Sequence, residues 1–230
     1  MYFITGTDTD CGKTLVSSAL LHNAPGRSLG FKPIASGCEK SQQGLRNADA
    51  LNLLAASSVK LGDTLQYNDK TIMLEYQHVN PYAFEPAIAP HIAAQQVDIV
   101  IEPMTLLSHV AFARDLPLDF CLIEGAGGWH LPLGGPYLLS HVVKEAKLSV
   151  IMVVGVKLGC LNHALLTQEA LLKEGLNIAG WVANCIDPDM PYLEDNIATL
   201  KEIMQGECLG VIPHLKEPIA SVAASYLTLP

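Results

Sequence analysis

Short apolar runs recur along the chain at 2–5 (YFIT), 28–34 (SLGFKPI), 119–125 (DFCLIEG), 149–155 (SVIMVVG), 177–184 (NIAGWVAN) and 208–213 (CLGVIP). Each is nearly continuous in apolar residues, which suits a strand buried on both faces better than one alternating between core and water. Segments of helical period lie between them. TLVSSALLHN follows the first run and ADALNLLAASS the second, while EPMTLLSHVAFAR (102–114) precedes the third. LLSHVVKEAK precedes the fourth, NHALLTQEALLKEG follows it, and YLEDNIATLKEIM follows the fifth. Gly175, just after Lys173 and Glu174, reads as a helix stop. Strands alternating with helices predict an α/β fold, with a mostly parallel central sheet and helices on both faces. Ligands of such sheets bind beyond the carboxyl ends of the strands.

The stretch from about 60 to 118 is less regular. GDTLQYNDKTIMLEYQHVNPYAFEPAIAPH mixes its patterning around Pro81, Pro86 and Pro90, and reads as loops, an extra strand and a short helix. No internal repeat or low-complexity linker interrupts the chain, so residues 1–230 are expected to form a single α/β domain.

Composition narrows the function. Half of the 230 residues are hydrophobic and 16% are charged, enough for a sizeable core. Lys and Arg number 14 against 23 Asp and Glu, a net charge of −9, which argues against nucleic acid as a partner. An anionic ligand must therefore be held by a local positive site. Cysteines 11, 38, 121, 160, 185 and 208 are scattered without a CxxC pair, as expected of free thiols in a reducing compartment. The N-terminus has no basic segment leading into a long apolar one, and no run reaches the roughly 20 apolar residues of a membrane span. The expectation is a cytoplasmic protein with no membrane contact.

The first strand enters GTDTDCGKT (6–14). Gly12, Lys13 and Thr14 fit the end of a phosphate-binding loop. Such a loop aims backbone N–H groups at phosphate oxygens, sends a lysine to the terminal phosphates and offers a hydroxyl to Mg²⁺ at a helix start. Five residues separate Gly6 from Gly12 where the usual pattern has four. The bland alternative, a glycine-rich turn with incidental Lys and Thr, is weakened by the strand before it and the helix after it. The fold expected is therefore P-loop NTPase-like.

Further polar residues fall at predicted strand ends. FKPIASG (31–37) puts Lys32 and Ser36 after the second strand, although a lone lysine there is equally a solvated loop charge. RNADA (46–50) offers Asp49 as a metal carboxylate or an ordinary helix-start acid. IEGAGG (123–128) ends a strand with Glu124, suited to holding a metal or simply a loop glutamate. GVKLGCLNHA (155–164) reads as a loop entering a helix with Asn162 as its N-cap, able to hold a carboxylate or merely to start a helix. Asn184 ends the fifth strand, where its amide suits a purine edge. His130, His141, His163 and His214 share no ligand spacing and read as surface or capping residues.

Taken in order, GTDTDCGKT, GFKPIASG, GLRNADAL, VNPYAFEPAIAPH, IEGAGGW, VVGVKLGCLNHALLT, GWVAN and GVIPHL resemble the dethiobiotin synthetase family over nearly the whole chain. That family also shows the five-residue spacing in its loop. The resemblance implies a homodimer converting 7,8-diaminopelargonate, CO₂ and ATP into dethiobiotin, ADP and phosphate, with the substrate site at the subunit interface. It implies that Thr14, Asp49 and Glu124 hold Mg²⁺ and that Thr9, Asp10, Cys11, Gly12, Lys13 and Thr14 wrap the phosphates. Lys32 and Lys13 would be catalytic, with Thr9 and Ser36 beside the diamine. Gly125, Ala126 and Gly127 would contact the nucleotide, and Asn184, Cys185, Pro213, His214 and Leu215 would line the adenine pocket. Gly159, Cys160, Leu161 and Asn162 of the partner subunit would hold the substrate carboxylate. Three departures stand out: Cys11 replaces a small aliphatic residue, His214 replaces a larger aromatic, and the segment from Ser58 to Val79 is longer, with room for a hairpin. The competing reading is a P-loop ATPase switch acting through a partner. Such proteins carry a lysine early in the loop, where this chain has Thr7 and Asp8.

Overall fold

The computed structural model describes residues 1–230. The chain opens with β1 (Tyr2–Gly6), a loop, α1 (Lys13–Asn23) and β2 (Ser28–Phe31). Then come β3 (Ile34–Ala35), β4 (Glu39–Ser41), β5 (Gly44–Arg46) and α2 (Ala48–Ala56). The irregular stretch contains β6 (Thr64–Tyr67), β7 (Lys70–Met73), α3 (Tyr76–Val79), β8 (Tyr82–Ala83) and α4 (Pro90–Gln95), ahead of α5 (Pro103–Asp115). β9 (Phe120–Glu124), β10 (Pro132–Gly134), β11 (Tyr137–Leu138) and α6 (Leu139–Glu145) follow. β12 (Ser149–Val156), α7 (Cys160–Lys173), β13 (Ile178–Cys185), α8 (Leu193–Ile203), β14 (Glu207–Ile212) and α9 (Ala220–Ala224) complete it.

The six apolar runs are the six strands of one parallel sheet, ordered β14-β13-β12-β1-β9-β2. Successive side chains of a strand point to opposite faces, and both faces here are apolar. Phe3, Ile123, Val150, Met152 and Trp181 enter one hydrophobic cluster with residues of α5, α6, α7 and α8. Ile4, Leu122, Ile151, Val153 and Val182 enter a second with residues of α1, α2 and α9. That two-sided burial explains the continuous apolar runs in the sequence.

Helix ends follow their chemistry. Asn47 caps α2, its side chain accepting from the Ala50 N–H at 3.2 Å. Gly175, at φ +78°, turns the chain out of α7 and donates to the Leu172 carbonyl at 3.0 Å. The Leu138 N–H donates to His141 Nδ1 at 3.3 Å, a capping role for that histidine. The predicted cap at Asn162 is not found. α7 begins three residues earlier, at Cys160, because Gly159 takes the cap position at φ +92° before the polar residue is reached.

The extra length between Ser58 and Val79 forms the hairpin β6–β7. Leu65 is buried, and Tyr67 packs edge-on against Phe112 of α5 with ring centroids 5.0 Å apart. The segment covers the β2 edge of the sheet, where the Val59 N–H donates to the Ser28 carbonyl at 3.1 Å. Leu65→Ala is expected to cost about 2–5 kcal/mol in urea unfolding while leaving nucleotide affinity unchanged, because no hairpin residue lines the cleft described next.

Candidate active site

Register assembles the site. Phe31 pairs with Ile123 across β2 and β9, so Lys32 and Glu124 leave adjacent strands side by side. Ile4 pairs with Glu124 across β1 and β9, which sets that carboxylate beside the strand feeding the glycine loop. The Lys32 ammonium lies 2.7 Å from Glu124 Oε1, 3.0 Å from Asp49 Oδ2 and 3.0 Å from the Gly125 carbonyl. Thr14 Oγ1 donates to the same Glu124 oxygen at 2.8 Å. One carboxylate oxygen thus links Lys32 to the first turn of α1. Glu124 is fully buried and Lys32 nearly so, while the Asp49 side chain keeps 41% of its surface.

The loop before α1 is shaped by its small residues. Gly12 has φ +89°, and a Cβ there would collide with the Asn184 amide, whose Nδ2 donates to the Cys11 carbonyl at 3.0 Å. A Cβ on Gly6 would strike Cys11 Sγ, so the thiol packs into the loop against that glycine and is buried. Lys13 Nζ donates to the Asp8 carbonyl at 2.9 Å. Asp8 is held by Lys157 at 2.8 Å and accepts from the Thr9 N–H at 2.8 Å. The positive end of α1 opens into the loop, as an anion site requires.

These residues line one cleft of about 860 Å³. Thr9, Asp10, Gly12, Lys13, Thr14, Lys32, Ser36, Asp49, Glu124, Ala126 and Gly127, all singled out from sequence, share it. Cys11, Gly125, Asn184 and Cys185 do not line it; Asn184 and Cys185 are buried at the end of β13. Pro213, His214 and Leu215 follow β14, farther along the same edge of the sheet. Gly159, Cys160, Leu161 and Asn162 open α7 after β12, outside the cleft. Sequence reasoning gave no role to Asn47 or to Ala87, Ile88, Ala89 and Pro90, which form part of the wall. The available signals were the asparagine directly before a helix and the proline-spaced AFEPAIAP.

The donor set fits a hard divalent cation. Thr14, Asp49 and Glu124 are oxygen ligands of the kind Mg²⁺ takes beside phosphates, and buried Glu124 Oε2 has no protein partner. Lys13 and Lys32 face Asp10, Asp49 and Glu124, leaving the cleft short of positive charge for a polyphosphate. No cluster of three His, Cys, Asp or Glu exists to hold a metal alone, so phosphates and waters would complete the shell.

Burial disfavours the Lys32 ammonium, but the charges and hydrogen bonds of Glu124 and Asp49 outweigh it and raise the pKa above 10.5. Burial acts on Asp49 in the opposite sense and is outweighed by Lys32, so its pKa falls below 3.8. The raised group stabilises the fold fully below pH 10.5 and loses that contribution as pH rises through its folded value. The lowered group contributes above pH 3.8 and loses its share as pH falls through its folded value. Between those limits the pair stays ionised. Burial also raises the thiol pKa of Cys38, Cys185 and Cys121, the last to about 12, so none is a ready nucleophile. In side-chain ¹⁵N NMR the Lys32 ammonium should show no titration midpoint below pH 10.5; a midpoint near 8 would contradict the geometry.

A family described as an AAA domain matches residues 1–220. The ATP-dependent dethiobiotin synthetase BioD of Pseudomonas aeruginosa is 47% identical, covering 99% of this chain and 96% of its own. The protein of the same name from Cellvibrio japonicus is 47% identical over 99% and 95%. That from Chromohalobacter salexigens is 46% identical over 100% and 98%. Among solved structures, the MinC:MinD cell division protein complex of Aquifex aeolicus aligns at TM-score 0.54 and 14% identity, covering 97% of this chain and 84% of that one. A ParA family ATPase from Chlorobium tepidum aligns at 0.50 and 15%, covering 98% and 90%. At such identities these two share the fold and nothing more. No helix is long and apolar enough to cross a membrane.

Proposed function

The chain belongs to the family of ATP-dependent dethiobiotin synthetases, ligases that form C–N bonds, and from that premise we propose how its own residues carry the reaction. The substrates are 7,8-diaminopelargonate, CO₂ and ATP. One amine attacks CO₂ to give a carbamate. The carbamate oxygen takes the γ-phosphoryl group and releases ADP, and the second amine displaces phosphate from the mixed anhydride to close the ureido ring. The observation that carries this reading is the convergence of Lys32, Glu124, Asp49 and Thr14 on the mouth of the loop that holds Lys13.

Lys13 and the first turn of α1 bind and orient the phosphates, with Thr9, Asp10, Gly12 and Thr14 closing around them. Thr14, Asp49 and Glu124 would hold Mg²⁺, which when bound supplies the positive charge that lets two anions approach. Lys32, whose three N–H groups are taken by Glu124, Asp49 and the Gly125 carbonyl, would exchange the exposed Asp49 for the carbamate, orienting it toward the γ-phosphoryl group and offsetting the developing negative charge. The amine that attacks CO₂ must be unprotonated. Ser36 lies in the cleft wall with a buried hydroxyl lacking any protein partner, suited to an amine or carbamate group. Gly125, Ala126 and Gly127 would back the nucleotide, and Asn184, Cys185, Pro213, His214 and Leu215 would border the adenine. One of the two Asn184 amide hydrogens is already engaged by the loop, so adenine would be read by the other, by the amide oxygen and by neighbouring backbone.

The carboxylate of the diamine would be held by Gly159, Cys160, Leu161 and Asn162 of a second copy, in a homodimer. The exposure of Leu158, at 87%, beside that turn supports contact there.

Protein, MgATP, bicarbonate and 7,8-diaminopelargonate together should yield dethiobiotin by mass spectrometry. ATP hydrolysis that proceeds equally well without diamine would instead support a switch ATPase. Lys32→Ala or Lys13→Ala is expected to lower turnover by at least about 100-fold; near wild-type kcat in either would remove that residue from the catalytic role.

A further inference from the structure

Three buried polar side chains outside the phosphate loop tie together the backbone beneath Lys32, Ser36 and Asp49. Asn80 Nδ2 donates to the Lys32 carbonyl at 2.6 Å and to the Tyr82 carbonyl at 3.3 Å. Asn80 Oδ1 accepts from the Tyr76 hydroxyl at 3.1 Å. That hydroxyl accepts in turn from the Asn47 N–H at 2.8 Å. Asn47 Oδ1 caps α2, which carries Asp49 in its first turn, and Asn47 Nδ2 donates to the Ser36 carbonyl at 3.2 Å. All three residues are buried, and the Arg46 guanidinium lies 4.1 Å above the Tyr76 ring. Burial raises the Tyr76 pKa, so its hydroxyl keeps the proton it donates.

We infer that Asn47, Tyr76 and Asn80 form a positioning relay that sets the Asp49 carboxylate for the metal and the Lys32 and Ser36 backbone for the diamine, independently of the phosphate loop. The inference rests on the function proposed above. Its physical basis is that a buried, mutually satisfied network has one low-energy arrangement, and an unmade bond within it leaves a polar group stranded. A one-turn helix, Tyr76–Val79, and a two-residue strand, Tyr82–Ala83, have little regular structure of their own to fix Lys32. The Lys32 N–H donates to the Val79 carbonyl at 3.0 Å and the Tyr82 N–H to the Pro33 carbonyl at 3.1 Å, and the side-chain bonds lock these few backbone contacts in place. None of the three residues donates to or accepts from the loop between Gly6 and Lys13.

Asn47 makes the relay separable. Asn47→Ser keeps an oxygen that caps α2 but loses the amide donor to Ser36, whereas Asn47→Ala loses both. Tyr76→Phe cuts the relay between its two asparagines. Each full-length variant would be compared with wild type by three measurements besides its melting temperature. These are Mn²⁺ affinity of the ADP complex by electron paramagnetic resonance, affinity for a fluorescent ADP in EDTA, and the KM and kcat for diamine.

Outer-shell partners of metal ligands typically matter by about 10–100-fold in metal affinity. Asn47→Ala and Tyr76→Phe are therefore expected to weaken Mn²⁺ and to raise the diamine KM, each at least about tenfold. Metal-free nucleotide affinity should stay within about twofold. Asn47→Ser should restore Mn²⁺ affinity while its diamine KM remains high. The relay is overturned if Asn47→Ser and Asn47→Ala behave alike, if metal-free nucleotide affinity falls as far as the rest, or if only melting temperature moves. Absence of dethiobiotin with the wild-type protein would overturn the proposed reaction instead, and the Mn²⁺ comparison would still test the α2 cap.

Discussion

A buried ammonium shared by two carboxylates organises the functional end of this molecule. Lys32, Glu124 and Asp49 come from the ends of two strands and the start of a helix, and the two buried charges, Lys32 and Glu124, would each be costly without the other. An isolated buried charge costs several kcal/mol, and breaking one side of a buried pair typically costs about 3–5 kcal/mol. The fold must therefore deliver those two together. Parallel pairing does this without special loops: β2 and β9 run side by side in matched register, so the residues just past Phe31 and Ile123 are neighbours. Glu124 then reaches Thr14, which couples the ion pair to the helix behind the phosphate loop.

The loop itself is fixed from behind. Asn184 holds the Cys11 carbonyl, Thr7 donates its N–H to the Val153 carbonyl at 3.0 Å, and Lys157 pairs with Asp8. These anchors come from β12, the residue just after it and β13, on the opposite side of β1 from Lys32 and Glu124. The central strand thus separates a set of residues that shapes the loop from a set that faces the reacting groups. MinD and ParA family structures share this architecture, yet the chemistry depends on which side chains occupy the strand ends.

Much of this was legible in the sequence, for identifiable reasons. The six strands announced themselves because both faces of the sheet are buried, which removes the polar alternation that makes other strands ambiguous. Glu124 stood out as a charge ending an apolar run, and Gly12, Lys13 and Thr14 as a spacing with a mechanism. Asn162 misled because polar residues are the usual helix caps, whereas here Gly159 turns the chain first. The Lys32 partners were hidden because ion pairs form across elements, without a local pattern. The relay through Asn47, Tyr76 and Asn80 was hidden for the same reason: its bonds join the residue before α2 to two residues of the irregular segment, where periodicity is silent.

The most direct test is a double-mutant cycle between Lys32 and Glu124, using Lys32→Met, Glu124→Gln and the double variant in urea unfolding at neutral pH. If the shared ammonium holds the site together, the two changes should be non-additive, with a coupling of about 1–3 kcal/mol. Additivity within about 0.5 kcal/mol would mean that the two side chains contribute independently, and the account would fail at its base.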